Sequence, residues 1–234
     1  MNLAAILASG RGSRMGADVP KQFLKLGDAP ILAVSLKAFL GSGLIDAAVV
    51  TVPADFVGET EEMLRRHLPD TDIPVHVIGG GASRGESLIK ALEFLAARYG
   101  KNHIVLTHDA VRPFIDARII RDNIEAAAQY GAANTCVPAT DTVFLSEDGA
   151  FMGQTPPRAT VFHSQTPQTF RLGEFLDAVK RLPAGVFETL TDGSSVYTYL
   201  GLPVRLVPGS PDNVKITFPR DLDRAARKEP SPDA

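Results

Sequence analysis

The segment LAAILASGRGSRMGADVPKQFLKL, residues 3–26, determines which fold the chain can adopt. Its first five residues form a short uninterrupted apolar run, which is typical of a buried β-strand. A loop of small residues follows at 9–13, and glycines in such a loop let backbone N–H groups approach an anion closely. Arg14 and Lys21 come next, with Pro20 fixing the backbone just before Lys21. Two cations beside such a loop indicate a triphosphate ligand.

This loop differs from the two commoner phosphate-binding patterns. The dinucleotide fingerprint requires a third glycine where Met15 stands, and the P-loop requires a Gly-Lys-Ser/Thr sequence that does not follow here. Met15 therefore argues against a dehydrogenase. An ordinary strand-to-helix turn would explain Gly10 and Gly12 alone, but it leaves the cations and the P-K-Q segment unexplained.

Length, composition and charge limit the class of protein. The 234 residues suffice for one substantial α/β core, so we expect a single domain over 1–234. The net charge of −3 provides no basic field for nucleic acid or an anionic membrane. We expect neither a signal peptide nor a membrane span. Because Cys136 is the single cysteine, no internal disulfide forms, and we expect a buried thiol in a cytoplasmic protein.

Apolar runs alternate with segments of helical spacing. The predicted strands cover 3–7, 47–51, 75–78, 103–107, 133–137 and 204–207, and the predicted helices cover 31–39, 56–67, 85–97 and 117–129. This alternation predicts a mostly parallel sheet with helices on both faces, a three-layer α/β sandwich. Ligands bind at the carboxyl ends of the strands in such sheets, so the glycine loop, residues 79–81 and residues 108–109 should converge.

Residues 138–164 interrupt the alternation. They are predicted to form two short extended pieces, 141–145 and 159–162, around a turn-rich middle. From the residues alone, a surface excursion is the simplest interpretation of this segment.

Two further positions have both a structural and a chemical interpretation. Asp109 follows a predicted strand, where a carboxylate could cap the next turn or hold Mg²⁺, which takes one or two carboxylates together with phosphates. Its neighbour His108 is interpreted as structural. Residues 80–87 could be a strand–helix connection with Ser83 as N-cap, or a pocket whose glycine backbone approaches a base.

The motifs, taken in order, resemble one enzyme family. A-x-G-x-G-x-R-M-G…P-K-Q-F is similar to the N-terminal motif of sugar-nucleotide pyrophosphorylases and, more narrowly, of CTP-dependent cytidylyltransferases acting on polyol phosphates. The resemblance continues through H-D-A-V-R-P (108–113), D-T (141–142), Q-T-P-Q-T-F (165–170), T-D (191–192) and D-N-V-K-I-T (212–217). It implies a Rossmann-like nucleotidyltransferase fold with a protruding β-arm at about 138–164 that grips a second subunit in a homodimer.

The resemblance also implies a role for individual residues. The catalytic positions are Arg14, Lys21 and Lys215, with Lys21 on the α-phosphate in the transition state. The nucleotide-binding positions are Leu7, Ala8, Ser9, Gly10, Gly12, Arg14, Lys21, Gly80, Gly81, Arg84, Ser87, Asp109 and Ala110. The acceptor positions are Asp109, Arg112, Thr142, Arg158, Thr191, Asp192 and Lys215, with Thr142 and Arg158 entering the partner's site. The cofactor is expected to be Mg²⁺ on Asp109 and Asp212.

Two acceptors fit these motifs. Ala82 stands where many 2-C-methyl-D-erythritol 4-phosphate enzymes have an aspartate, and H-D-A-V-R-P-F-I, D-N-I (122–124) and Q-T-P-Q-T-F are more similar to the ribitol 5-phosphate enzymes, so D-ribitol 5-phosphate is favoured. T-D-G-S-S departs from both groups, with Gly193 in place of the acidic residue usual in the methylerythritol enzymes. The 2-C-methyl-D-erythritol 4-phosphate activity is the alternative; a hexose 1-phosphate nucleotidyltransferase and a non-catalytic nucleotide-binding module are more remote ones. The transfer requires no general base, because a phosphate monoester with a second pKa of about 6 is already largely ionised at neutral pH.

Overall fold

The computed structural model describes residues 1–10, 20–69 and 71–226. In this part of the chain the strands are β1 (Asn2–Leu7), β2 (Lys25–Leu26), β3 (Ala29–Pro30), β4 (Ala47–Val52), β5 (Val75–Gly79), β6 (Ile104–Asp109), β7 (Ala132–Pro138), β8 (Phe162–Arg171) and β9 (Arg205–Pro208). The α-helices are α1 (Ile31–Leu40), α2 (Val57–His67), α3 (Arg84–Tyr99), α4 (Ala117–Tyr130), α5 (Leu172–Lys180), α6 (Val186–Thr189), α7 (Ser194–Tyr199) and α8 (Pro219–Ala226). Short 3₁₀ turns cover Lys21–Phe23, Ala54–Phe56 and Arg158–Thr160.

Among the described residues, seven strands form the central sheet in the order β5–β4–β1–β6–β8–β7–β9. β8 runs antiparallel to both of its neighbours, while the other neighbouring pairs of this sheet are parallel. The predicted mostly parallel sheet is therefore confirmed. β2 and β3 form a separate antiparallel ribbon.

Helices cover both faces of this sheet, as the strand–helix alternation predicted. Alternate residues of β1 point to opposite faces, so Leu3 packs with α3, α5 and α7, while Ile6 packs with α1 and α4. β4 is also buried along its whole length between helices on both faces, which explains why all of its residues except Thr51 are apolar. The predicted strands and helices all form within two residues of their expected bounds. No helix in the described ranges is both long enough and apolar enough to cross a bilayer.

The prediction was wrong where the alternation is interrupted. The expected extended piece 159–162 is instead a 3₁₀ turn at Arg158–Thr160, followed by the ten-residue strand β8. β8 escaped detection because its buried residues 165–169 are mostly polar, so neither an apolar run nor apolar alternation marks it. Helices α5, α6, α7 and α8 were not predicted either.

The expected extended piece 141–145 is not a regular strand. Its link to the returning chain consists of two hydrogen bonds, from Leu145 N to Gln154 O (2.7 Å) and from Gly153 N to Leu145 O (2.7 Å). Between them, the Asp148 carboxylate accepts the N–H groups of Ala150 (2.9 Å) and Phe151 (3.0 Å), which closes a turn. A turn held by side chains replaces strand pairing here.

Candidate active site

A pocket of about 710 Å³ lies at the carboxyl ends of β1, β5 and β6. The predicted convergence of three loops at this edge of the sheet is therefore confirmed. The pocket is lined by Leu7, Ala8, Ser9, Gly10, Lys21, Gln22, Pro53, Ala54, Asp55, Gly80, Gly81, Ala82, Ser83, Arg84, Ser87, Asp109, Val111 and Lys215. Gly12 and Arg14 fall outside the described residues. Ala110 lies beneath the pocket, fully buried, where its carbonyl accepts the Ser35 hydroxyl (2.6 Å).

Two glycines allow the loops after β1 and β5 to meet. A Cβ added at Gly80 would overlap the side chain of Ser9, and one added at Gly81 would overlap the side chain of Glu86. Gly80 N also donates to Val52 O (2.7 Å), which fixes this approach. The glycines are therefore required by close packing of the pocket wall, as well as by any ligand that approaches their backbone.

Residues 80–87 serve both as a strand–helix connection and as a wall of the pocket. Ser83 Oγ accepts the N–H of Glu86 (3.0 Å), so Ser83 is the N-cap of α3 as predicted. Ser87 Oγ accepts Gly81 N (3.0 Å) and donates to Ser83 O (2.8 Å). The capped helix end thus forms one wall of the pocket, and its free N–H groups favour an anion there.

Asp109 is the centre of an ion-pair cluster. Its Oδ1 accepts Arg84 Nε (3.1 Å) and its Oδ2 accepts Lys215 Nζ (2.7 Å). Burial alone would raise the pKa of this carboxyl, but Arg84 and Lys215 outweigh burial and hold the pKa well below its usual range. The carboxylate binds these two cations rather than the N–H groups of the following turn, so the interpretation as a cap is wrong. Asp109 is therefore an ionised group facing the pocket.

His108 and Arg112 support this cluster from behind. The His108 ring is fully buried between Thr166 Oγ1 (3.0 Å from Nδ1) and Arg112 O (3.0 Å from Nε2), and burial lowers the His108 pKa to about 4. Thr166 Oγ1 also accepts Asp109 N (3.1 Å). Arg112 donates to Asn213 O (2.7 Å); burial lowers the pKa of its guanidinium, and the charge of Asp109 opposes that shift. The structural interpretation of His108 is confirmed.

Two lysines reach the pocket from opposite ends of the chain. Lys21 Nζ donates to Ile216 O (3.3 Å). Lys215, the residue before Ile216, therefore lies near the N-terminal segment. Ile216 is fully buried while its neighbour Lys215 turns to Asp109. Gln22, whose role the sequence did not reveal, is buried and donates to Ala8 O (2.6 Å), which holds the loop after β1 in place.

Five of the predicted acceptor residues do not line this pocket: Arg112, which lies behind the Asp109 cluster, and Thr142, Arg158, Thr191 and Asp192. Thr142 and Arg158 lie on the exposed excursion, where Arg158 donates to Thr140 O (3.2 Å). Asp192 accepts the N–H (2.9 Å) and the hydroxyl (3.0 Å) of Ser195 at the start of α7, and its neighbour Thr191 is exposed. Asp109 and Lys215 are thus the acceptor positions that the structure brings together in the pocket.

The donor set suits a hard cation only in combination with phosphates. Among the described residues, no group of three or more His, Cys, Asp or Glu side chains could hold a metal. Mg²⁺ does not need such a cage, because one or two carboxylates and substrate phosphates satisfy it. Asp109 meets that requirement. Asp212, the second predicted ligand, does not line the pocket; its N–H donates to Ser210 Oγ (3.1 Å) on a turn.

A glycine-lined pocket with lysines and an ionised carboxylate, at the carboxyl edge of a mostly parallel sheet, is suited to nucleotidyl transfer, the chemistry of the nucleotidyltransferase class. The family model for IspD, 2-C-methyl-D-erythritol 4-phosphate cytidylyltransferase, matches residues 3–227. The chain therefore belongs to this family and is a cytidylyltransferase.

Individual relatives agree with this assignment. The ribitol-5-phosphate cytidylyltransferase of Lactiplantibacillus plantarum is 40% identical over 225 residues, which is 95% of both chains. Among solved structures, the 4-diphosphocytidyl-2C-methyl-D-erythritol synthase of Anaerococcus prevotii has a TM-score of 0.81 at 26% identity, covering 97% of this chain and 96% of that one. The Francisella tularensis 2-C-methyl-D-erythritol 4-phosphate cytidylyltransferase has a TM-score of 0.78 at 28% identity, covering 96% and 97%.

Proposed function

We propose that the protein transfers CMP from CTP to D-ribitol 5-phosphate, giving CDP-ribitol and pyrophosphate. The observation that carries the reaction class is the Asp109 cluster with Arg84 and Lys215, at the end of a glycine-lined pocket. The acceptor is supported by the 40% identical relative, which is named for ribitol 5-phosphate. Ala82, which stands where many enzymes of the methylerythritol branch have an aspartate, points the same way.

The second candidate acceptor is 2-C-methyl-D-erythritol 4-phosphate. It is favoured by the matching family model and by the solved structures, which are named as a 2-C-methyl-D-erythritol 4-phosphate cytidylyltransferase or a 4-diphosphocytidyl-2C-methyl-D-erythritol synthase. Both acceptors present a phosphate monoester on a short polyol chain, so the same charged groups can serve either one.

In the proposed reaction an oxygen of the acceptor phosphate attacks the α-phosphorus of CTP. A new P–O bond forms, the bond between the α-phosphorus and the bridging oxygen breaks, and the electron pair leaves with pyrophosphate. The attacking phosphate is already ionised, so no side chain has to remove a proton. Catalysis then consists of positioning and of stabilising the negative charge that develops on the α-phosphate and pyrophosphate. We assign this stabilisation to Lys21 and, by resemblance, to Arg14.

The nucleotide is proposed to lie along the pocket from residues 80–81 to Asp109. The backbone at Gly80 and Gly81, with Ser87 behind it, forms a small wall suited to a pyrimidine rather than a purine. The Ser9 hydroxyl is buried at this wall and has no hydrogen-bond partner within the described ranges, so it is available to the ligand. The remaining proposed contacts are Leu7, Ala8, Gly10, Gly12, Arg84 and Ala110.

Asp109 is proposed to hold Mg²⁺ together with the nucleotide phosphates, with Asp212 as a second ligand. The bound ion would neutralise phosphate charge. The residues of the chain contribute an ionised carboxylate at the right edge of the sheet: Arg84 and Lys215 keep the Asp109 pKa low, so the group is ready to bind a cation at neutral pH. Lys215 is proposed to exchange its contact with Asp109 for one with the acceptor phosphate, opposite Arg112.

The rest of the acceptor site is proposed to form in a homodimer of single-domain chains. Phe144, Leu145, Phe151 and Met152 are large apolar side chains exposed on the excursion, which suits a surface covered by a second subunit. That arrangement would carry Thr142 and Arg158 into the partner's pocket, beside its Thr191 and Asp192. The buried thiol of Cys136 fits a reducing cytoplasm.

Pyrophosphate release with CTP and Mg²⁺ tests the proposal, with the two polyol phosphates compared as acceptors at equal concentration. Turnover that requires D-ribitol 5-phosphate supports the first assignment, and turnover that requires 2-C-methyl-D-erythritol 4-phosphate replaces it with the second. Folded protein that releases no pyrophosphate with either acceptor would contradict both. A Lys21→Met variant serves as the background control.

A further inference from the structure

The segment 209–217 carries Lys215 but contains no regular strand or helix. Backbone without a hydrogen-bond ladder does not hold a side chain in place by itself, so the position of Lys215 against Asp109 depends on contacts from other elements. One set of these contacts comes from β8, in the Q-T-P-Q-T-F motif to which the reaction assigns no role, and acts beside the backbone bond from Ile216 N to Val111 O (2.9 Å).

The Gln165 side chain binds the backbone of this segment in both directions. Its Nε2 donates to Ser210 O (2.8 Å), and its Oε1 accepts Ser210 N (3.3 Å). The same Oε1 accepts the side-chain amide of Asn213 (3.4 Å). Gln165 is 7% exposed, so these bonds are shielded from competing water.

Gly209 brings the segment directly onto this amide. A Cβ at Gly209 would overlap Gln165 Oε1 and would lie 2.9 Å from the Thr135 methyl group. Gly209 N donates to Cys136 O (2.8 Å), which ties the segment to β7 at the same point. The absence of a side chain at 209 is therefore what allows the Gln165 contact.

Asn213 continues the attachment toward the pocket. It is fully buried, its Nδ2 donates to Thr166 O (2.8 Å), and its carbonyl accepts Arg112 Nη1 (2.7 Å). Two residues further along, Lys215 reaches Asp109. Buried and partly buried hydrogen bonds thus tie the segment to Gln165, Thr166 and Arg112, and the chain then continues to Lys215 in the Asp109 cluster.

We propose that Gln165 is a positioning residue for cytidylyl transfer, which fixes the segment 209–217 so that Lys215 meets the phosphates beside Asp109. Gln165 does not line the pocket, so it acts through the segment and not on the substrate. Its importance follows from geometry, because a displacement of about 1 Å at a catalytic group can cost about 10²-fold in rate. The activity readout of this proposal rests on the proposed function.

Gln165→Met tests the proposal, because methionine keeps the length of the side chain and removes its hydrogen bonds. We expect kcat to fall about tenfold or more, while KM for CTP changes less than about threefold, since the nucleotide wall lies on β1 and β5. The matched control is Thr169→Val on the same strand, where a fully buried hydroxyl bonds only Asn123 among the described contacts. Thr169→Val should lose stability and keep kcat.

Equal loss of kcat in both variants, or a wild-type kcat in Gln165→Met, would overturn the proposal. If Gln165→Met does not fold, Gly209→Ala displaces the same amide from the other side and should give the same split between kcat and KM. Crystal structures separate this proposal from the function. If the wild type is inactive with both acceptors, the proposed function alone is refuted. The positioning role of Gln165 is then supported if the structure of Gln165→Met shows a Lys215–Asp109 contact longer than 2.7 Å, and is refuted if that contact is unchanged.

Discussion

The two halves of the central sheet differ in the side chains that they bury. β1 and β4 bury aliphatic residues on both faces, in contact with helices on either side. β8 and its neighbours bury hydrogen-bonding groups, as in the bonds from Thr135 Oγ1 to Pro167 O (2.7 Å) and from Thr107 Oγ1 to Gln168 O (3.0 Å). Apolar contacts are non-directional and provide stability, whereas buried hydrogen bonds specify one arrangement. The apolar half supports the pocket, and the polar half orients the residues that act in it.

The largest expected effect is a loss of stability without a loss of activity, on substitution of a core residue in the apolar half. Leu92→Ala removes a fully buried side chain on α3 and should lower the free energy of unfolding by about 2–5 kcal/mol. Because Leu92 is not among the residues that line the pocket, kcat of the folded enzyme should remain unchanged. Urea denaturation and steady-state kinetics test both statements, with Glu93→Ala on the exposed face as the control. A parallel loss of kcat would mean that the two halves are not separable.

The converse experiment removes charge from the pocket. Lys21→Met should lower kcat about 10²–10³-fold, equivalent to about 2.7–4 kcal/mol, because a charge stabiliser of the transition state is lost. The urea midpoint should move little. Lys25→Met removes an exposed lysine four residues away and should retain full turnover. Comparable turnover in the two variants would rule out the proposed role of Lys21.

The polar half should make stability depend on pH through His108. Burial lowers its pKa to about 4 in the folded protein, against about 6.5 when unfolded. Between these values the unfolded state binds a proton that the folded state does not, so the free energy of unfolding falls as the pH is lowered through this window. The wild type should lose about 3 kcal/mol more than His108→Asn from pH 6.5 to pH 4. Parallel pH profiles of the two proteins would contradict the buried neutral ring.

The smallest expected effect concerns the nucleotide wall where the loops after β1 and β5 meet. Gly80→Ala would force the Ser9 side chain away, so KM for CTP should rise about tenfold, or about 1.4 kcal/mol, with less change in kcat. Gly79→Ala is the matched control, because its Cβ would lie 3.4 Å from the Ala54 Cβ, an ordinary contact. If both variants raise KM equally, the close approach at Gly80 does not shape the CTP site.

The difference between the halves also explains how far the sequence alone was informative. β1, β4 and the helix α3 follow apolar periodicities, and the sequence located them within two residues. β8 buries Gln165, Thr166 and Thr169, which carry no such periodicity, and only the folded chain shows that they are enclosed. The pieces 141–145 and 159–162 were predicted as extended because their residues suit a strand, but strand pairing needs a partner that local sequence does not specify.

The pocket shows the same division. Strand ends and glycine loops placed Ser9, Gly80 and Asp109 at one edge, since parallel strands share a carboxyl end. The ion pairs of Asp109 with Arg84 and Lys215 join residues 25 and 106 positions apart, and spacing carries no signal for such contacts. The roles of Gln165 and Asn213 were hidden for the same reason. The sequence feature that could have indicated these roles was an amide side chain inside a motif, at a position without a direct part in the reaction.

A crystal structure with CTP and Mg²⁺ bound would show whether the polar half of the sheet orients the cytidylyl-transfer groups at one edge. We expect the cytosine against Gly80 and Gly81, the triphosphate within reach of Lys21, and the metal on Asp109. CTP bound with its phosphates remote from Lys21 and Asp109 would contradict this expectation.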